Sequence, residues 1–265
     1  MLLRAGIAAV AALVALTGTA AADPGDVSTQ VINGSRASTK DFPFAVFLQR
    51  PGAKDSFCGG SIVAPNKILT AGHCADNAKF EADDPARIQV VAGRDDKQTT
   101  AGVVAQATKI VVHPEWTKSQ GLRFDFAVIT LDRRLPFKPI PLAGLHDGSL
   151  YKPGNKPTVL GWGDIDNKGT SSRFLLKANL PIQPDRECTE TYGPEFYQPS
   201  SMMCAGDLTG KQDGCFGDSG GPFVFRGKLV GVVSFGAEEC AIPDVPAVYS
   251  KVASANTWIK TQTVV

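Results

Sequence analysis

Apolar residues in this chain come in short bursts, and glycine, proline and other turn-forming residues punctuate it between them. Residues 61–63, 67–70, 88–92, 110–112, 126–131, 158–160, 229–235 and 248–252 are bursts of this kind, rich in β-branched and aromatic side chains. Runs of that length, bounded by turn residues, predict strands. Only the tail behaves differently. Over residues 254–262, Ala255, Trp258 and Ile259 recur at helical spacing, which puts them on one face of a helix. The pattern therefore predicts an all-β chain closed by a C-terminal helix. The proline-rich stretch 136–157 reads as a connection between two halves, and no repeat of the solenoid or propeller kind is present.

A chain of 265 residues, 43% of them hydrophobic, can bury one large core or two smaller ones. Its formal net charge of +1 offers no concentrated basic surface, so capture of nucleic acid or of an anionic membrane is not expected. The first residues read as a targeting segment. Arg4 supplies a positive charge, residues 5–16 are an apolar run, and Ala20, Ala21 and Ala22 offer a small-residue cleavage site before Asp23. Residues 1–22 thus predict a signal peptide, and no later run has the roughly 20 apolar residues a membrane-spanning helix needs. The mature protein is expected to be soluble, secreted and extracellular.

Export changes the reading of the six cysteines, because an oxidising compartment favours disulfides over thiolate chemistry. Six cysteines allow 15 connectivities. The nearest-neighbour set, Cys58 with Cys74, Cys188 with Cys204 and Cys215 with Cys240, closes three modest loops. Zinc is disfavoured: no Cys-x-x-Cys pair exists, and the three histidines lie far apart in sequence.

The most informative stretch is 211–222 (KQDGCFGDSGGP), in which glycines and aspartates crowd around Ser219. Taken alone it reads as a tight turn. A serine hydroxyl becomes a nucleophile only when a base removes its proton and a third group holds that base in the right tautomer. The histidines His73, His113 and His146 all precede Ser219. That order excludes the lipase-type nucleophile elbow, whose histidine follows its serine. His146 sits in a Gly-rich turn and His113 precedes Pro114, so both are expected to face solvent. His73 ends an apolar strand beside Cys74, where a disulfide would fix its ring. Asp125, between Phe124 and Phe126 at the mouth of an apolar run, would be costly to bury without a partner such as His73.

Residues 32–34 (ING), 58–61 (CGGS), 69–74 (LTAGHC), 125–128 (DFAV), 161–163 (GWG), 217–222 (GDSGGP), 233–236 (VSFG) and 246–249 (PAVY) together resemble, in order, the landmarks of the chymotrypsin-like serine proteases, trypsin branch. The resemblance runs from about residue 31 to 260 and has the chain order histidine, aspartate, serine. It implies two six-stranded antiparallel β-barrels of the chymotrypsin type, one about 31–145 and one about 146–250, followed by the helix at about 254–262. It implies an endopeptidase with Ser219 as nucleophile, His73 as general base and acid, Asp125 as its orienter, and the N–H groups of Gly217 and Ser219 as an oxyanion hole. Asp213 at the pocket base implies cleavage after Arg or Lys. Gly214, Phe216, Ser234, Phe235, Gly236 and Ala247 would line the substrate site, and the Cys215–Cys240 bridge would brace it.

The same resemblance implies an activation propeptide at 23–30, cut at Gln30 so that the new Val31 amine pairs with Asp218. No cofactor or metal is expected: the segment 93–102, which resembles a calcium loop of the family, lacks the expected acidic ligands. Expected partners are polypeptide substrates and protein protease inhibitors, with the enzyme monomeric. Ala247, Phe216 and Phe235 depart from the commonest residues at their positions, and Gly72 replaces an alanine. A glycosylation sequon at Asn33 reads as incidental. The rival class is a catalytically dead relative serving as a binding or inhibitor module, and the presence of His73, Asp125 and Ser219 argues against it.

Overall fold

The computed structural model describes residues 32, 34–75, 84–119 and 123–264; the expected signal peptide (1–22) and propeptide (23–30), with Val31 and Asn33, lie outside them. Among the described residues the first half is a closed six-stranded antiparallel barrel in the order β2-β3-β4-β7-β6-β5. Its strands are β2 (Ala45–Gln49), β3 (Ser56–Ala64), β4 (Lys67–Thr70), β5 (Gln89–Ala92), β6 (Val103–Val112) and β7 (Ala127–Leu131). Val46, Leu48, Ile62, Ile68, Val90 and Ile129 fill it and are fully buried.

The second half is a seven-stranded sheet in the order β1-β9-β8-β11-β12-β13-β10. It comprises β8 (Thr158–Gly161), β9 (Leu176–Asn179), β10 (Met202–Ala205), β11 (Pro222–Phe225), β12 (Lys228–Phe235) and β13 (Ala247–Lys251), joined by β1 (Ser35–Arg36). The count is seven rather than the expected six because β1 crosses from the first half and pairs with β9, Ser35 opposite Lys177. The segment just after β9 meets the edge strand β10 through an isolated antiparallel bridge between Ile182 and Ala205. The connection 136–157 carries no strand, as its prolines require.

Three α-helices are present among the described residues: α1 (Pro114–Lys118), α2 (Asp185–Tyr192) and α3 (Val252–Thr263). The last is the predicted tail helix, slightly longer than the pattern indicated. Its Val252, Ala255 and Ile259 join the core of the first barrel. The halves meet over a separate cluster in which Phe47 and Trp162 pack edge to face, centroids 5.0 Å apart. All three nearest-neighbour disulfides form, with Cα–Cα distances of 6.3, 5.8 and 5.5 Å.

Candidate active site

Strands β4 and β7 run antiparallel with Thr70 opposite Ala127, so the chain just past β4 and the chain just before β7 emerge together at one end of the barrel. Those segments carry His73 and Asp125. The Asp125 carboxylate accepts the His73 backbone N–H at 2.8 Å through Oδ1 and meets His73 Nδ1 at 2.7 Å through Oδ2. A carboxylate at Nδ1 selects the tautomer with the proton on that nitrogen, which leaves Nε2 as the basic one. Asp125 is 2% exposed. Burial pushes its carboxyl up, but His73 and the hydrogen bonds from His73 and Ser234 outweigh that and hold it below the ordinary range.

Ser234 completes this arrangement from the other half, its hydroxyl donating to Asp125 Oδ2 at 2.6 Å. It can do so because β12 carries a bulge against β13: Val233 pairs with Tyr249 and Phe235 with Val248, leaving Ser234 between them. On the other side of Asp125, Phe124 takes a φ of 52°, a conformation costly for a bulky residue. Its ring stacks on His113 at 4.7 Å.

Ser219 lies between two left-handed glycines, Gly217 at φ +87° and Gly220 at φ +78°. At Gly220 a Cβ would also fall 2.1 Å from Thr70 Oγ1, so only glycine fits where this loop crosses the first barrel. Ser219 O accepts from Gly59 N at 2.7 Å, and Gly220 N donates to Val233 O at 2.8 Å, pinning the loop from both halves. The N–H groups of Gly217 and Ser219 donate to no acceptor among the described residues. The Ser219 hydroxyl likewise makes no hydrogen bond to the imidazole, a separation usual in unliganded hydrolases.

His73, Asp125 and Ser219 line one cavity of about 630 Å³, together with Asp213, Ala247 and Tyr249. Asp213 Oδ2 accepts from Ala241 N at 2.9 Å, whereas among the described residues its Oδ1 is buried without a partner, as is the hydroxyl of fully buried Tyr249. Burial, assisted by Asp207, pushes the Asp213 carboxyl up to about 6 against the opposing N–H groups of Ala241 and Gly214. Gly214, Phe216, Ser234, Phe235 and Gly236 line the same space, and a Cβ on Gly236 would sit 3.9 Å from that of Ala247, which places the Ala247 methyl next to Gly236 at the cavity. Phe216 is half exposed at 54%, an apolar rim.

Asp218 is not in the cavity. It is fully buried beneath the loop, its carboxylate held by Gly163 N at 2.8 Å and Cys215 N at 3.0 Å. Burial, with Asp164 and Asp213 adding to it, pushes this carboxyl to about 6.

Five cavity residues lie outside the motifs and the disulfides: Trp116, Thr117, Phe196, Ala237 and Glu239. Trp116 explains Gly72, because a Cβ there would approach the indole and Asp125 Oδ1 to 3.1 Å. His113 is a correction. Expected at the surface, it is 7% exposed, packed between Phe124 and the edge of Trp258 at 4.6 Å, and its Nδ1 caps α1 by accepting from Glu115 N. His146 is exposed as expected. Cys58, His73 and Cys74 come close enough to suggest a metal cluster, but both sulfurs are consumed in a disulfide.

The family model described as Trypsin matches residues 31–259. A protein named "Trypsin" from Saccharopolyspora erythraea is 40% identical over 224 residues, covering 84% of this chain and 94% of that one. "Trypsin eta" from Drosophila erecta is 34% identical, covering 89% and 92%. Among solved structures, mouse neuropsin, a serine protease, superposes with a TM-score of 0.76 at 28% identity, covering 87% of this chain and 99% of the other.

Proposed function

The chain belongs to the trypsin family of serine proteases, and from that premise we propose that it is a secreted endopeptidase that cuts after Arg or Lys through an acyl-enzyme on Ser219. In this reading His73 Nε2 takes the Ser219 proton as the hydroxyl attacks the substrate carbonyl, then returns it to the leaving amine. Asp125 keeps the imidazole oriented and stabilises its cationic form. The free N–H groups of Gly217 and Ser219 receive the developing oxyanion, an interaction absent in the ground state and hence catalytic. Water then repeats the sequence on the acyl-enzyme.

The observation that carries the specificity is Asp213, which lines the cavity that Ser219 lines and whose Oδ1 is buried without a partner among the described residues. A buried carboxylate without a counter-charge is expensive, so a substrate cation that supplies one binds with a large advantage over a neutral side chain. A peptide library randomised at the cleavage position should yield products ending in Arg or Lys; a flat or apolar profile would sink the assignment. Ala247→Gly refines it. The methyl competes with a guanidinium nitrogen for room, or with the water an ammonium needs, so its removal should change the Arg/Lys ratio of kcat/KM several-fold, an effect on the scale of overpacking one methyl. An unchanged ratio would mean that the methyl stays clear of the bound side chain.

Disulfides fit the proposed export, and among the described residues no helix is long and apolar enough to cross a membrane. The proposed switch uses Asp218. Two N–H donors do not neutralise a fully buried carboxylate, and an amine at Val31, released by cleavage after Gln30, would do so and order the loop around Gly217. Glutamine offers Asp213 no cation, so another protease must make that cut. Ser219→Ala precursor incubated with a trace of active enzyme should keep its Asp23 terminus by sequencing; rapid appearance of Val31 would refute the need for a separate activator.

A further inference from the structure

Lys97 is a buried lysine to which the proposed chemistry gives no role. It is 6% exposed, and among the described residues its ammonium bonds only to uncharged oxygens: Ser171 Oγ at 2.5 Å, Ser56 Oγ at 3.4 Å and the Trp162 carbonyl at 3.4 Å. Burial lowers its pKa, while Asp55, Asp164 and Asp218 favour the charged form. A buried cation of this kind costs several kcal/mol unless its surroundings compensate. Its surroundings are the back of the oxyanion loop.

The carbonyl it approaches belongs to the same peptide unit as the Gly163 N–H that donates to Asp218 Oδ1. A positive charge at the oxygen end of a peptide and a carboxylate at its N–H end both align that dipole, so each strengthens the other's hold. The next residue adds a second tie, Asp164 N donating to Phe216 O at 2.7 Å. Residues 163 and 164 therefore hold the loop containing Phe216, Gly217 and Asp218, and Lys97 with Ser171 grips residue 162 from behind. The lysine's own segment is anchored: Asp95 O accepts from Trp162 Nε1 at 3.1 Å and from Leu175 N at 2.8 Å, and Lys97 N donates to Arg173 O at 2.9 Å.

We propose that Lys97 is a positioning residue for the oxyanion loop, its buried ammonium fixing the Trp162–Gly163 peptide so that the Gly163 N–H stays aimed at Asp218. The proposal rests on the reading of Ser219 and Gly217 given above. Lys97→Met keeps the stem and removes the charge; Ser171→Ala keeps the charge and removes its shortest hydrogen bond. Each is compared with the parent in the active enzyme by kcat, KM and two inhibition constants. One is for a simple cationic amidine, which reads the Asp213 pocket; the other is for a peptide aldehyde, whose hemiacetal oxygen reads the oxyanion donors.

Because a lost oxyanion donor costs about a hundredfold or more, a donor that is merely loosened should cost about tenfold in kcat. The aldehyde should weaken in parallel while the amidine changes less than about twofold. A folded Lys97→Met enzyme with parental kcat, or one that loses amidine and aldehyde affinity equally, overturns the proposal. If Lys97→Met does not accumulate as folded protein, Ser171→Ala decides: a selective loss of kcat and aldehyde affinity supports the role, and parental values overturn it. Failure of the underlying reading looks different, since hydrolysis would then survive Ser219→Ala whatever residue 97 is.

Discussion

Ser219→Ala is expected to lower kcat on a peptide amide by roughly a millionfold, the scale on which removing the nucleophile of a serine protease collapses the whole catalytic unit. Among the described residues the hydroxyl makes no hydrogen bond, so its loss leaves every described contact of the loop in place. The backbone ties from Gly59 N and to Val233 O do not involve the side chain. The melting temperature and the affinity for a cationic amidine should therefore stay at the parental value while turnover disappears. What remains above the uncatalysed rate would come from the Gly217 and Ser219 N–H groups and from substrate binding, neither of which the substitution removes. Residual activity above a few per cent of the parent, measured after active-site titration to exclude contaminating protease, would mean that another group is the nucleophile. Loss of amidine binding together with activity would mean that Ser219 is structural.

The strands of the first barrel were largely readable because their apolar runs stop at turn residues. Residues 67–70 form β4 as the pattern drew it, and 248–252 differs from β13 by one residue at each end. The missed strands fail for identifiable reasons. In β2 all five residues are buried, including Gln49, because one face fills the barrel and the other packs on the second half, so no alternation survives. β11 opens with Pro222, which a sequence reading counts against a strand, although the first position of a strand tolerates it. The polar helix α2 has no apolar stripe. It is held by tertiary ties, the Cys188–Cys204 bridge and a hydrogen bond from Tyr197 Oη to Asp185, which no local pattern contains.

The site divides in the same way. His73 and Asp125 stood out because their neighbours are locally unusual, a cysteine beside an imidazole in one case and two phenylalanines flanking an acid in the other. Asp213 and Ser234 were visible only through the family resemblance, since an aspartate in a Gly-rich loop and a serine in an apolar strand look ordinary. His113 was misread because its packing partners, Phe124 and Trp258, are distant in sequence and the His-Pro pair looks the same before a loop or a short helix. Lys97 shows the limit most clearly. In the chain it is one more lysine in a polar segment, and only the fold brings it behind residue 162.

The second large effect expected is at the pocket. Asp213→Asn should lower kcat/KM for Arg and Lys substrates by roughly ten-thousandfold, the range seen when a buried polar partner goes unmatched. It should leave hydrolysis of a reactive ester without a basic side chain much less affected. The pH dependence has a definite sign. Because the free carboxyl is raised to about 6, chiefly by burial, it is neutral below that pH and a cationic ligand finds no counter-charge there. Amidine affinity should fall as the pH drops through about 6 in the parent and be flat in Asp213→Asn. Amidine binding is the better readout because it involves no proton transfer to His73. Stability runs the other way. A carboxyl whose folded pKa is raised contributes most to stability below its unfolded value near 4 and loses that contribution as the pH rises through about 6. Unliganded Asp213→Asn should therefore melt higher than the parent at pH 8 and no higher at pH 4, and the amidine should raise the parent's melting temperature more at pH 8 than at pH 5. Asp218 titrates in the same direction and is present in both proteins, but Asp213 is one of the charges that raise it, so the difference between the two reports Asp213 together with its effect on Asp218. Equal melting temperatures at pH 8, with equal amidine affinity across the pH range, would show that Asp213 is hydrated and carries no specificity.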